Sequence, residues 1–233
     1  MNFNKAYVIG SDEVSKTRLD NFFKNKKLSS VNIDVWPAIN GKKVNIKKFQ
    51  DLKYLPKKFQ AKKPGSLGCL LSHVTLWEFC KKDKECDIAL IFEDDVVINK
   101  NFENEVKKIN INDLPKDWTM LRMSYKGLIG KPISKYIVKP DSLKKRGVNA
   151  GTWCYLLNTQ NAQVLIDELI PYENKNSMDV LLRNNINNLK IFFTKDNLAQ
   201  HNENKYSPRK DLNLSKKTIF ESIKITLRKY LYH

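Results

Sequence analysis

An apolar run, Asp87–Phe92 (DIALIF), ends in three adjacent carboxylates, Glu93-Asp94-Asp95, and apolar character resumes at Val96-Val97-Ile98. A continuous apolar run of this length reads as a strand buried on both faces. Such strands belong to sheets covered by helices, so the run points to an α/β chain. Three adjacent carboxylates at the end of a buried strand repel one another strongly when partly desolvated. That arrangement wants a cation. Hard oxygen ligands suit Mg²⁺ or Mn²⁺, which in turn bridge phosphate oxygens of a ligand. In an open α/β sheet the carboxyl ends of strands are also where ligands bind. Residues two apart project to one side of an extended segment. Glu93 and Asp95 are therefore expected to face one site, with Asp94 turned away. A solvated acidic turn is the competing interpretation.

The rest of the chain supports the α/β class. Lys5–Ile9 reads as a first buried strand, Ser15–Leu28 as a helix with Leu19, Phe22 and Phe23 on one face, and Val31–Pro37 as a second strand. Strand, helix, strand at this spacing is a βαβ unit, which builds parallel sheets. Leu67–Cys80 carries a helical apolar stripe. Phe102–Ile109, Thr159–Leu169 and Ser177–Asn184 read as helices. Trp118–Met123, Thr152–Leu157 and Ile191–Phe193 read as strands. Gly41–Lys63 is expected to be a surface region, Tyr125–Arg146 irregular, and the chain from Tyr206 onward a tail.

At 233 residues one domain is expected, and a chain this long buries enough surface to fold without a staple. The net charge of +17 is concentrated. Lys42–Lys63 carries nine Lys against one Asp, Lys131–Arg146 six bases against one acid, and Arg209–His233 seven bases against two acids. Patches of this kind point to an anionic partner. The four cysteines show no CxxC spacing and read as buried thiols of a reducing compartment. The opening residues lack a secretory signal pattern, and no window is apolar enough to span a membrane. Cytoplasmic localisation is the expectation.

His73 lies inside the apolar helix, in Gly68-Cys69-Leu70-Leu71-Ser72-His73. It reads either as a satisfied core histidine or, with Ser72, as a ligand contact. Gly68–Glu78 (GCLLSHVTLWE) followed by Ala89–Val96 (ALIFEDDV) resembles glycosyltransferase family 25, in order and in spacing. Further pieces agree: Ala6–Ile9 with Arg18, Trp36–Gly41 (with Asn40 where Asp is usual), Gly151-Thr152 before Tyr155-Leu156-Leu157, Ser177-Met178-Asp179, and Leu198–His201. The likeness runs from about Lys5 to Ser207.

The resemblance implies a GT-A type glycosyltransferase fold, with a Rossmann-like nucleotide half and a mixed central sheet. It implies a single catalytic domain over 1–207, and the basic, amphipathic stretch over 208–233, outside the likeness, reads as a tail. It implies an inverting enzyme that takes a hexose, most often galactose, from a UDP-sugar. The acceptor would be a lipooligosaccharide or related glycan. Asp95 is then the first candidate for a Mn²⁺ or Mg²⁺ ligand, with Glu93 or Asp94 touching ribose or metal-bound water. His201 is a candidate third ligand, through a neutral ring nitrogen. Asp179 is the candidate base that removes the acceptor proton, or else a helix N-cap, with Glu173 the alternative base. Arg18 and Arg122 are expected at uridine or phosphate, and Asn149, Gly151, Thr152, Ser72 and His73 at the substrate.

The tail segment Lys216–Leu231 sets its apolar residues near one helical face, as a helix lying on an anionic membrane would. Peripheral contact with the inner face of the inner membrane is expected on that ground. Two other classes fit parts of the pattern. A metal-dependent phosphotransferase would also want clustered carboxylates, but no phosphate-loop motif is present. A nucleic-acid- or anionic-glycan-binding protein without catalysis would explain the charge, but no recognition motif accompanies it.

Overall fold

A computed structural model describes residues 3–202, apart from 11, 26, 27, 29 and 144. The proposed tail, 208–233, lies outside the described residues. The first half comprises β1 (Lys5–Gly10), α1 (Asp12–Asn25), β2 (Asp34–Pro37), α2 (Ile46–Asp51), α3 (Pro64–Lys82), β3 (Ile88–Glu93), β4 (Val96–Ile98) and α4 (Phe102–Lys108). The second comprises β5 (Met120–Lys126), β6 (Gly130–Pro132), β7 (Ile137–Pro140), β8 (Ala150–Asn158), α5 (Ala162–Leu169), α6 (Met178–Asn184), β9 (Ile191–Thr194) and β10 (Ala199–His201).

Eight strands form one mixed sheet in the order β2-β1-β3-β8-β5-β9-β7-β6, and β4 pairs with β10 in a separate ribbon. β1 runs parallel to both β2 and β3, as the βαβ pattern requires. β8 is antiparallel to β3 and β5. This is the α/β architecture expected of a GT-A type enzyme, with a parallel Rossmann-like start and a mixed remainder.

Alternation sorts the strand residues onto two cores. Tyr7, Ile9, Ala89, Ile91, Tyr155 and Leu157 pack under α3, α5 and α6. Val8, Leu90, Phe92, Cys154 and Leu156 pack on the other face with Leu19 and Phe22 of α1 and Phe102 and Val106 of α4. β3 is thus buried on both faces, which is why its sequence is apolar without interruption. The loop after β2 crosses the start of α3 at very close range. A Cβ on Gly41 would lie 1.8 Å from the Pro64 carbonyl oxygen, and one on Gly68 would lie 2.4 Å from that of Ile39, so both positions require glycine.

Two sequence expectations need correction. Gly41–Lys63 is not only surface: it holds α2, and Phe49 and Leu55 enter the core. The segment scatters its apolar residues among lysines, which hides the two that anchor it. Tyr125–Arg146 contains the edge hairpin β6–β7, where Lys and Pro mask the alternation but suit an exposed edge. Among the described residues no helix is long and apolar enough to cross a membrane.

Candidate active site

The parallel strands β1, β2 and β3 bring Gly10, Pro37 and Glu93 to one edge of the sheet. β8 runs the other way and starts at that edge, with Cys154 opposite Phe92. The chain turns immediately after Glu93, and Asp94 donates its backbone N–H to the Ile9 carbonyl at 3.2 Å. The turn ends the strand alternation, so the expected pairing of Glu93 with Asp95 does not occur. Glu93 points toward α3, whereas Asp94 and Asp95 share Arg18 of α1.

The Arg18 guanidinium contacts Asp94 Oδ1 and lies 2.6 Å from Asp95 Oδ2, with all three side chains nearly buried. Arg18 therefore answers the carboxylate repulsion from within the chain. Gly10 makes room for this cluster, because a Cβ there would lie 3.1 Å from Asp94 Cβ. Burial raises the Asp94 carboxyl to about 7, with Arg18 opposing and Asp95 and Glu93 adding to the rise. His201, at the end of β10, sets Nε2 at 3.3 Å from Asp95 Oδ2. Its ring stacks on Trp153 at a centroid distance of 4.7 Å.

On the other face, His73 Nε2 lies 3.5 Å from Glu93 Oε1, and the Thr152 hydroxyl donates to the same oxygen at 3.3 Å. His73 Nδ1 lies 2.7 Å from the Tyr155 hydroxyl, which accepts from Trp77 Nε1 at 2.8 Å. Burial opposes a charged His73 ring, but its hydrogen bonds to Cys69 and Glu93 outweigh that and push it up to about 9. His73 is thus a buried histidine partnered by Tyr155 and Glu93. The Ser72 hydroxyl accepts from Ile39 N–H at 2.8 Å and spends its one donor on the Gly68 carbonyl at 2.7 Å. It holds the loop after β2 onto α3.

Asp179 lies in the first turn of α6, and Ser177 occupies the N-cap position. The carboxylate of Asp179 does not cap the helix. It reaches across to β8, where Oδ1 accepts the Gly151 N–H at 2.7 Å and lies 3.5 Å from Arg122 Nη1. Arg122 is fully buried and also donates to the Asn149 carbonyl at 3.1 Å. Burial pulls its guanidinium below the usual range, while Asp179 opposes. Its Nε and Nη2 lack hydrogen-bond partners among the described residues. Through Nη1, Arg122 supports the Asp179 carboxylate from within the sheet. Gly151 has φ +105°, and a Cβ there would lie 2.4 Å from the Trp153 ring. The Asn149 side chain is spent on the backbone of Ile129 and Asp141. Glu173 faces solvent and pairs with Lys175 at 2.6 Å.

Thr152 and Gly151 thus touch Glu93 and Asp179 respectively, and one strand start links two carboxylate centres. Tyr155 and Trp153 escaped sequence reasoning. The strand they occupy was legible, but an aromatic on a strand reads as core unless its neighbours are known. Among the described residues, the one grouping of three metal-ligating side chains is Cys69, His73 and Glu93. Asp95, Glu93 and His201 do not form such a group.

The chain matches the family model "Glycosyltransferase family 25 (LPS biosynthesis protein)" over residues 3–182. Procollagen galactosyltransferase 2 of Homo sapiens is 24% identical over 175 residues, which is 71% of this chain and 28% of that protein. A glycosyltransferase 25 family member of Aedes aegypti is 25% identical over 177 residues, 72% of this chain and 28% of that protein. The chain therefore spans less than a third of the length of these curated relatives. Among solved structures, apo mouse xyloside xylosyltransferase 1 aligns with a TM-score of 0.45 at 8% identity, covering 80% of this chain and 83% of that one. With a family match that takes in α3, the Glu93–Asp95 turn, the start of β8 and Asp179, the chain belongs to glycosyltransferase family 25.

Proposed function

We propose that the chain is an inverting hexosyltransferase that moves galactose from UDP-galactose to a hydroxyl of a lipooligosaccharide or related glycan. Family membership supports glycosyl transfer, and the names of the human and mouse relatives support galactose. The description of the family as an LPS biosynthesis protein, and the basic patches, support an anionic bacterial glycan as acceptor. The observation that carries the reading is the pair of carboxylate centres held on either side of Gly151-Thr152.

Asp179 is the general base. Its Oδ1 is held by Gly151 and Arg122, which leaves Oδ2 to accept the proton of the acceptor hydroxyl. As that proton moves to Asp179, the acceptor oxygen bonds to the anomeric carbon and the bond to the UDP oxygen breaks on the opposite face. One displacement of this kind inverts the anomeric centre. Arg122, buried behind the carboxylate, fixes its orientation. Asn149 and Gly151 shape the backbone on which it rests.

The donor set at Asp95 and His201 fits a divalent cation, Mn²⁺ or Mg²⁺. Their donor atoms are 3.3 Å apart, close to the roughly 3 Å between adjacent ligands of an octahedral ion with bonds near 2.1 Å. Trp153 fixes the imidazole plane. Arg18 contacts the same Asp95 oxygen and would share it with the ion. Bound there, the ion supplies charge neutralisation for the UDP leaving group.

The test is transfer from UDP-galactose and UDP-glucose to purified lipooligosaccharide cores, with product configuration read by NMR. Galactose transfer with inversion is expected. Retained configuration would refute the single displacement, and binding of glycan without UDP release would favour a non-catalytic binding protein.

A further inference from the structure

Cys69 and His73 are four residues apart on α3 and lie on one face of the helix. Glu93, at the end of β3, meets them there, and the Cys69 Sγ, the nearest His73 ring nitrogen and a Glu93 oxygen all lie within 4.8 Å of one another. The His73–Glu93 pair is already at 3.5 Å. A tetrahedral ion with Zn–S, Zn–N and Zn–O bonds of typical length sets its ligand atoms about 3.3–3.8 Å apart. A shift within ordinary side-chain freedom therefore closes the set. We propose that Cys69, His73 and Glu93 form a binding site for a thiophilic divalent cation of the zinc class, distinct from the Asp95–His201 pair.

The surroundings support this assignment independently of the three donors. A histidine that ligates through Nε2 needs a partner for Nδ1–H, and that partner fixes both tautomer and ring plane. Tyr155 supplies it at 2.7 Å, and Tyr155 is itself held by Trp77 at 2.8 Å. The Thr152 hydroxyl steadies the Glu93 oxygen in the same way. His73 is nearly fully buried, while Cys69 and Glu93 are half-buried, so solvent reaches two of the three donors. A thiolate, an imidazole and a carboxylate with one open position make a donor set that selects zinc over Mg²⁺. On binding, the Cys69 thiol gives up one proton to solvent and its sulfur lone pair bonds to the ion.

The experiment titrates Co²⁺, as a spectroscopic stand-in for zinc, into the full chain. The expected result is a sulfur-to-cobalt charge-transfer band that saturates at one equivalent and is abolished by added Zn²⁺. The band is lost in Cys69→Ser and kept in Asp95→Asn. A chain with no such band overturns the proposal. So does a band that survives Cys69→Ser, because it would then arise from Cys80, Cys86 or Cys154. A second readout guards against a misfolded variant: Zn²⁺ slows iodoacetamide labelling of Cys69 several-fold in the native chain, as mapped by mass spectrometry. An unchanged labelling rate overturns the site as well. If the cobalt band behaves as expected but no hexose is transferred, the metal site stands and the transferase reading fails.

Discussion

Gly151 donates its backbone N–H to Asp179 Oδ1 at 2.7 Å, and this bond ties the start of β8 to the first turn of α6. It places a carboxylate over the sheet edge at which Glu93, Asp94 and Asp95 emerge. Asp179→Asn keeps an oxygen that accepts this bond but removes the proton acceptor. Turnover is expected to fall by about 10²–10⁴-fold, the usual contribution of a general base. Donor affinity is expected to be unchanged. Parallel measurement of kcat and of UDP-galactose binding checks both. Near-native kcat in Asp179→Asn would remove Asp179 from that role.

The Arg122–Asp179 pair should respond asymmetrically to truncation. Asp179→Ala leaves a fully buried guanidinium without its counter-charge, whereas Arg122→Met removes the charge that needed burial. Stranding a buried charge costs about 3–5 kcal/mol, while an apolar replacement of similar volume is often near neutral. Asp179 is 26% exposed on its side chain, so water relieves part of that cost. Asp179→Ala is expected to be the less stable of the two, and urea midpoints compare them.

Gly151→Ala meets two obstacles at once, a φ of +105° and the Trp153 ring 2.4 Å from the new Cβ. A loss of about 1–3 kcal/mol is expected from the backbone conformation alone. The displaced indole also leaves His201, so affinity for Mn²⁺ is expected to weaken in the same variant. Denaturation and calorimetric titration read the two effects separately.

Asp94 links the site to pH. Burial pushes its carboxyl up to about 7 in the folded chain, from an ordinary value of 3.8 when unfolded. Between those values the unfolded chain binds fewer protons, so stability falls as pH rises from about 4 to 7. The cause is burial first, with Asp95 and Glu93 adding to it and Arg18 opposing. Melting temperatures across this range, without divalent cation, are expected to decline in the native chain and to flatten in Asp94→Asn. An equal slope in both would place the titration elsewhere.

Removal of Ser215–His233 is expected to lower sedimentation with anionic vesicles while leaving transfer to a soluble acceptor intact. Each basic residue near such a surface contributes on the order of 1 kcal/mol. A truncated chain that still pellets with the vesicles would show that the amphipathic segment is not the membrane contact.

Much of the fold was legible because burial writes itself into composition. β3 is apolar on both faces and α3 carries a continuous stripe, so both stood out. The edge hairpin β6–β7 did not, because Lys and Pro are what an exposed edge demands and they also mark loops. The Glu93-Asp94-Asp95 cluster was legible as carboxylates at a strand end, but its sidedness was not. A turn one residue earlier or later leaves the same letters and reverses which carboxylates converge. Arg18, expected at uridine or phosphate, lies against Asp94 and Asp95, a pairing set by how α1 docks on the sheet. Ser72 shows the opposite limit, since its hydroxyl bonds two backbone groups brought together by the loop after β2.

On the function proposed above, the sheet edge at Glu93–Asp95 binds a uridine diphosphate sugar together with a divalent cation. The most direct measurement is a thermal-shift panel of UDP, UDP-galactose, UDP-glucose, GDP and CMP, each with and without Mn²⁺. A ligand at about 100 times its Kd stabilises by about 2.7 kcal/mol, which for a chain of this size is a shift of roughly 5–10 °C. A Mn²⁺-dependent shift with the uridine ligands, greatest for UDP-galactose and absent in Asp95→Asn, is the expected result. No shift with any nucleotide in the folded protein, or a shift indifferent to Mn²⁺ and to Asp95→Asn, would contradict it.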